Sequence, residues 1–196
     1  MSSSMSTFAQ EIGDSEHWLS PAGLLAELDI CPGMTIGEIG AGKAFYTLPF
    51  ARRVGPAGRV FAVEWRPWVI DELRARLVGP FASNFIELVV GRPAHTHLAA
   101  ASCDLVILAD IWHEIEDRDA TLNEARYVLR PQGRLAILNW RPDALCPPGP
   151  PLEHRVSMRN TLCTVERKSW TLVKSATIGL DGYLLVFEMT DESVQS

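Results

Sequence analysis

The sequence contains no run of Lys or Arg longer than two residues, and its formal net charge is −6. The field of the whole molecule therefore attracts neither nucleic acid nor an anionic membrane, and neither is expected as a partner. Cysteine is scarce. Cys31, Cys103, Cys146 and Cys163 are scattered and form no Cys-x-x-Cys, which fits a reduced, cytoplasmic protein. No apolar run approaches the roughly 20 residues that a membrane-spanning helix needs. The stretch Met1–Gln10 is polar and lacks the apolar centre of a secretion signal. Also missing is Gly-Lys-Ser/Thr: Gly42-Lys43 is followed by Ala44, which excludes a phosphate-binding P-loop.

What remains is an ordinary globular composition, 47 % hydrophobic and 21 % charged over 196 residues, enough for one domain with a sizeable core. Its most informative stretch is Met34-Thr-Ile-Gly-Glu-Ile-Gly-Ala-Gly-Lys-Ala-Phe-Tyr-Thr47. An apolar strand ends in an acid, Glu38, and runs into a glycine turn at Gly40, Ala41 and Gly42 that opens a helix. Glycines let a ligand approach the backbone closely, and a helix start aims free N–H groups at it. A second acid, Glu64, closes the next apolar run, where a carboxylate can bond the two hydroxyls of a ribose. The third glycine of a dinucleotide fingerprint is replaced by Phe45, which crowds a pyrophosphate. An acid in the first strand suits a cationic ligand better than a diphosphate, and a sulfonium nucleoside meets both conditions.

On these residues the chain resembles the class I S-adenosylmethionine-dependent methyltransferases, in their small bacterial form. The resemblance runs from about Trp18 to Met189. Glu38-Ile-Gly40-Ala-Gly42 matches the loop that holds the methionine end of the cofactor, and Glu64 matches the ribose acid. Cys103-Asp-Leu-Val-Ile-Leu-Ala-Asp-Ile-Trp-His113 resembles the fourth strand and its loop, and Val128 to Leu138 the turn and fifth strand. Trp18–Leu25 and Pro147–Arg155 resemble a subgroup of varied substrate. There are two departures. Ala44 stands at the family's third loop glycine, a small change that leaves room for the cofactor. Gly91-Arg92-Pro93 replaces Gly-Asp-Ala, and an arginine cannot accept the bond from the adenine amino group, so adenine recognition is left to backbone groups near Arg92.

The resemblance implies a Rossmann-like, open seven-stranded, mostly parallel α/β sheet, with helices on both faces and a C-terminal antiparallel hairpin. Residues 1–16 are expected to be a mobile segment, 17–190 one domain and 191–196 a tail. Periodicity predicts a helix near Ser20–Leu28, strand Met34–Ile39, helix Lys43–Val54 with Phe45, Leu48 and Ala51 inward, and strand Val60–Glu64. A helix follows from Pro67, then strand Phe85–Val90, no helix over 93–102, and strand Leu105–Ala109. Asp117 or Asp119 is expected to cap a helix with Leu122, Ala125 and Leu129 inward, ended by Pro131 and Gly133 before strand Arg134–Leu138. A Pro-rich loop at 142–151 and a short helix at Ser157–Val165 lead to strands Trp170–Ile178 and Tyr183–Phe187, which turn at Asp181-Gly182.

The expected cofactor is S-adenosyl-L-methionine, on Glu38, Gly40, Ala41, Gly42, Glu64, Gly91, Arg92, Ala109 and Asp110, with Trp65 over one face of the adenine. The small-molecule acceptor, unidentified, is expected among Trp112, His113, Trp140, His154 and Arg155, with Cys146 beside them and the Pro-rich loop as a lid. His113 is the candidate general base, although an acceptor that is already nucleophilic needs only alignment. Arg155 is suited to an acidic substrate group. His95-Thr-His97 has no third ligand nearby, so no metal is expected, and the scattered cysteines argue against arsenic or other thiophilic chemistry. Trp68 and Trp170 are expected in the core or in a dimer contact, and a homodimer is compatible with the sequence. Two rivals stand beside methyl transfer: a binding protein or partner subunit with this fold that transfers no methyl, and a nicotinamide oxidoreductase, against which Phe45 argues.

Overall fold

The computed structural model describes residues 20–77, 84–144 and 149–190. The expected mobile segment, Cys146, the middle of the Pro-rich loop and the tail lie outside them. The chain forms α1 (Pro21–Glu27), β1 (Thr35–Ile39), α2 (Thr47–Val54), β2 (Arg59–Glu64), α3 (Pro67–Arg76) and β3 (Ile86–Val90). It continues with β4 (Cys103–Ala109), α4 (Arg118–Val128), β5 (Leu129–Trp140), α5 (Met158–Glu166), β6 (Trp170–Ile178) and β7 (Gly182–Met189). The seven strands lie in the order β3-β2-β1-β4-β5-β7-β6. Strand β7 is antiparallel to both of its neighbours, β5 and β6, and the remaining pairs are parallel. The strand order reverses between β1 and β4, and ligands of open α/β sheets collect outside the strand ends at such a point.

Strand β4 shows why the sheet sits where it does. Leu105, Val106, Ile107 and Leu108 are all fully buried, because successive side chains point to opposite faces and both faces are covered. Leu105 and Ile107 join Leu24 of α1, Leu28 just beyond it, and Phe50 and Val54 of α2. Val106 and Leu108 join Leu122, Ala125 and Val128 of α4 and Val165 of α5. Helix α3 lays Val69, Ile70 and Leu73 against Ala62 of β2 and Ala41 of the glycine turn. That packing fixes the turn against the sheet.

Three elements differ from expectation. Helix α2 starts at Thr47 rather than Lys43, because Gly42 and Ala44 take φ of +51° and +64°, which no right-handed helix accommodates. Pro49 consequently falls in the first helical turn, where its missing N–H has no partner to lose. Leu129 is not an inward helical residue. It pairs with Cys103 as the first residue of β5, and a kink with Gln132 at φ +67° follows before regular pairing resumes at Arg134. The hairpin turns one step earlier than expected. Gly182 is already paired with Ile178, so Gly179, Leu180 and Asp181 form the loop, with Gly179 at φ +60°. Trp170 is buried, whereas Trp68 is 64 % exposed and contributes nothing to the core.

The expected cap is present, since Asp117 accepts from the Ala120 N–H at 2.9 Å and starts α4. Helix α5 is tied to the hairpin by one buried phenol. The Tyr183 hydroxyl meets Thr161 Oγ1 at 2.8 Å and donates to the Val156 carbonyl at 2.9 Å. Replacing Tyr183 with Phe leaves a buried hydroxyl and a carbonyl without their partner, which costs about 1–3 kcal/mol. Urea denaturation is expected to show this loss with an unchanged m-value.

Candidate functional site

Glu38 sits at the carboxyl end of β1, 1 % exposed. The side-chain bond it receives is from Thr47 Oγ1 at 2.5 Å. Burial pushes its pKa up to about 8, with the Thr47 bond opposing. Beside it, the Gly40 and Ala41 N–H groups both donate to the Val63 carbonyl, at 2.8 and 3.0 Å. Gly40 has φ +82°, and a Cβ there would lie 2.6 Å from Ile111 Cγ2. Glycine is required on both counts. Ala44 takes a left-handed conformation that favours glycine, so the departure at this position preserves the shape of the turn.

Glu64 ends β2, fully buried. Its Oε2 accepts from the Gly42 N–H at 3.2 Å and from Arg66 Nη2 at 3.1 Å. Its Oε1 accepts from the Arg66 N–H at 3.0 Å and from Arg66 Nε at 2.9 Å. Burial favours the protonated acid, but the bonds and charge of Arg66, with Gly42, outweigh it, so Glu64 lies below the usual carboxylate range. A carboxylate offers about four lone-pair sites, and these bonds fill them. The Arg66 guanidinium also lies 5.1 Å from the Trp65 ring centroid.

The loop after β3 is pinned from two sides. The Gly91 N–H donates to the Glu64 carbonyl at 3.1 Å, and a Cβ on Gly91 would lie 2.6 Å from the Thr96 carbonyl oxygen. Thr96 donates through N–H and Oγ1 to Glu124 of α4, at 2.8 and 2.6 Å. The Arg92 N–H and C=O are both taken by His95, each at 2.9 Å. The Arg92 N–H is therefore already engaged, while its carbonyl keeps a lone pair for a further donor. His95 and His97 meet edge to face at 4.2 Å.

After β4, Asp110 adopts φ +58°, and its Oδ1 is buried without a hydrogen-bond partner among the described residues. Its pKa is pushed up to about 7, chiefly by burial, with a bond to Trp140 opposing. Tyr46 is raised by its own burial and by the charges of Asp110 and Glu38, which places the phenol near both acids. A short 3₁₀ turn, Trp112–Glu114, follows. His113 Nδ1 faces Asn139 Oδ1 at 3.2 Å, Asp110 Oδ1 lies 3.9 Å from the same nitrogen, and Glu114 lies 3.8 Å from Nε2. Burial lowers the pKa of His113, so the ring is neutral near pH 7.

This turn divides two open cavities. One, of about 360 Å³, is lined by Trp65, Arg92, Pro93, Glu114 and Ile115 among others. The other, of about 710 Å³, is lined by His113, Arg118, His154, Arg155, Cys163 and Arg167 among others.

The region from the middle of β1 to the core of β5, residues 37–137, matches the sequence model of a methyltransferase domain. The chain belongs to this family. Membership carries S-adenosylmethionine as the cofactor and agrees with the fold. The chain is 31 % identical over 108 residues to an arsenite methyltransferase of Halobacterium salinarum, across 55 % of this chain and 27 % of that protein. It is 30 % identical over 108 residues to a ubiquinone/menaquinone biosynthesis C-methyltransferase of Hahella chejuensis, across 55 % and 43 %. The match thus spans less than half the length of these curated relatives. A SAM-dependent methyltransferase from Aquifex aeolicus has the same fold, with a TM-score of 0.82 at 20 % identity, covering 92 % of this chain and 96 % of that one. Among the described residues, no helix is long and apolar enough to cross a membrane.

The fold brings Glu38, Gly40, Ala41, Gly42, Glu64, Gly91 and Asp110 to one end of the sheet, with Ala109 buried at the end of β4. Trp65 walls the smaller cavity, and His113, His154 and Arg155 wall the larger. Two expectations about acceptor contacts are corrected. Trp112 is fully buried in the core, so its ring cannot face a substrate. Trp140 is also buried, and a Cβ on Gly149 would lie 2.8 Å from its ring. Arg155 spends its donors on the carbonyls of Pro150, Arg141 and Ala144, at 3.0, 3.2 and 3.4 Å. Sequence reasoning missed Tyr46, Thr47, Arg66, Arg118 and Asn139. Arg66 alone carried a local signal, two residues beyond the ribose acid.

Glu38 generates a pH effect on stability. An acid whose folded pKa is raised holds its proton more tightly folded than unfolded. Stability is therefore fully present below about pH 4.5 and declines as pH rises toward about 8, by up to about 1.4 kcal/mol per pH unit. Glu38→Gln keeps the shape and abolishes the titration. Urea denaturation as a function of pH is expected to show the variant gaining on the wild-type chain through that window, with no gain below it.

Proposed function

We propose that this chain transfers a methyl group from S-adenosylmethionine to a small-molecule acceptor that enters the larger cavity beyond the ends of β4 and β5. The observation that carries this is Glu38. A buried carboxylate bonded to one hydroxyl, beside a turn closed to side chains, is poorly solvated without a cationic partner. The positively charged amino-acid end of the cofactor supplies that partner. Gly40, Ala41 and Gly42 would leave room for it, Glu64 would take the ribose, and Trp65 would cover the adenine in the smaller cavity. When bound, S-adenosylmethionine supplies a methyl group on a positively charged sulfur.

His113 is positioned to act as a base. With Asn139 Oδ1 facing Nδ1, that nitrogen carries the proton, and Nε2 is left as the basic site. The ring is neutral at physiological pH and borders the larger cavity. It can take a proton from an acceptor O–H or N–H. His113→Asn is expected to lower turnover of such an acceptor about 10²–10⁴-fold while leaving S-adenosylhomocysteine binding intact. The wild-type rate should fall at acid pH as the ring becomes charged, and the variant should lose that limb. A variant as active as wild type across an acceptor panel would remove His113 from the chemistry.

One observation favours a second reading, a partner subunit with this fold that transfers no methyl. The Glu64 carboxylate is filled by Arg66 and Gly42, so ribose hydroxyls must displace the guanidinium. Calorimetry with S-adenosylmethionine and S-adenosylhomocysteine tests both. If Arg66 swings aside in the working enzyme, Arg66→Ala binds several-fold more tightly than wild type, and Glu38→Ala and Glu64→Ala bind at least about tenfold more weakly. Binding unaffected by the loss of either acid would overturn the assignment. Absence of binding to the wild-type chain at millimolar concentration, with binding restored by Arg66→Ala, would favour the second reading.

A further inference from the structure

The larger cavity has a charge that runs against the rest of the molecule. The chain carries a net charge of −6, yet Arg118, Arg155 and Arg167 line this cavity together with His113 and His154, and Glu153 is the carboxylate among its lining residues. Other arginines, including Arg59, Arg66, Arg130 and Arg134, meet a carboxylate at 3.5 Å or closer. The arginines of the cavity bond neutral carbonyl oxygens instead. Arg118 Nε and Nη2 share the Trp112 carbonyl at 3.4 and 3.3 Å, Arg167 Nε donates to the Cys163 carbonyl at 3.2 Å, and Arg155 holds the Pro150 carbonyl. A carbonyl takes up a hydrogen-bond donor but does not neutralise the charge that comes with it.

Position sharpens the point. Arg118 is the first residue of α4, where the helix dipole disfavours a cation. Its guanidinium is 5.3 Å from the Trp112 ring centroid, which restricts its motion at small further entropic cost. Arg167 stands across the cavity at the end of α5. Two planar forks on separate elements, without carboxylates of their own among the described residues, suit a ligand that brings the negative charge. Guanidinium groups bind carboxylate and phosphate through paired bonds.

We propose that this cavity binds the anionic end of its ligand, a carboxylate or a phosphate, through Arg118 and Arg167, with His154 at the rim, and that the methyl acceptor is therefore a small organic anion. The last step rests on the methyl-transfer reading of the cavity, whereas the anion site stands without it. Arg155 braces the loop through its carbonyl bonds and acts as a positioning residue. His113 also lines this cavity, so a nucleophile carried by the anchored molecule would be presented to its imidazole.

The test is titration of the full chain with inorganic phosphate and, separately, with citrate, followed by calorimetry at low ionic strength with and without S-adenosylhomocysteine. The wild-type chain is expected to bind at least one of the two, and the preferred anion tells phosphate from carboxylate. Arg118→Gln combined with Arg167→Gln should weaken that binding at least about tenfold, with S-adenosylhomocysteine affinity unchanged as the control for folding. Arg167→Gln alone, at an exposed position, should weaken it in the same direction. Failure of the wild-type chain to bind either anion, or equal binding by the double variant, would overturn the site. If S-adenosylhomocysteine does not bind while anion binding still depends on the arginines, the cofactor assignment fails and the anion cavity survives.

Discussion

A carboxylate held out of water at the end of a central strand is the constraint around which the rest of this molecule is arranged. Glu38 lies where β1 runs into the glycine turn, enclosed by residues of α2 and β4, and receives a side-chain bond from Thr47. Keeping an ionised acid in such a place is costly unless a positive group accompanies it. The protein sets against that cost a sheet buried on both faces and a turn wedged between Val63, Ile111 and α3.

The same logic separates the acids by role. Glu64 is equally buried but surrounded by donors, so it stays charged and rigid. Asp110 has a buried oxygen 3.9 Å from His113 Nδ1, and burial pushes its pKa up to about 7. Tyr46 borders both Glu38 and Asp110. Three carboxylates at one end of the sheet therefore differ in protonation because their neighbours differ.

Across the 3₁₀ turn Trp112–Glu114 the sign of the site changes from acidic to basic. One side is built from carboxylates and glycines, the other from arginines and histidines. A cationic cofactor and an anionic acceptor would be sorted to opposite sides of His113 by field alone, before any shape selection. The fold common to the family accommodates such a division because the strand ends are fixed while the loops beyond them are free to differ.

Much of this was legible in the residues themselves. Apolar runs ending in Glu38 and Glu64, the glycine turn between them and the continuous apolar β4 specify the strand ends and the ligand type, because burial on two faces and freedom from side chains leave direct marks in composition. The Asp117 cap and the boundaries of α5 were readable for the same local reason. The helix start at Thr47, the kink at Gln132 and the three-residue hairpin loop were not, since each depends on φ values imposed by packing rather than by residue type. Nor could the chain order of residues reveal that Arg66 fills the carboxylate of Glu64, that Trp112 and Trp140 turn inward, or that Arg118 and Arg167, 49 positions apart, share a cavity. Local chemistry wrote the acid and glycine turn, because Glu38, Gly40, Ala41 and Gly42 are near neighbours in the chain. The arginine-lined cavity exists only once α4 and α5 pack on the sheet, because its residues come from separate elements and meet through the burial of other side chains.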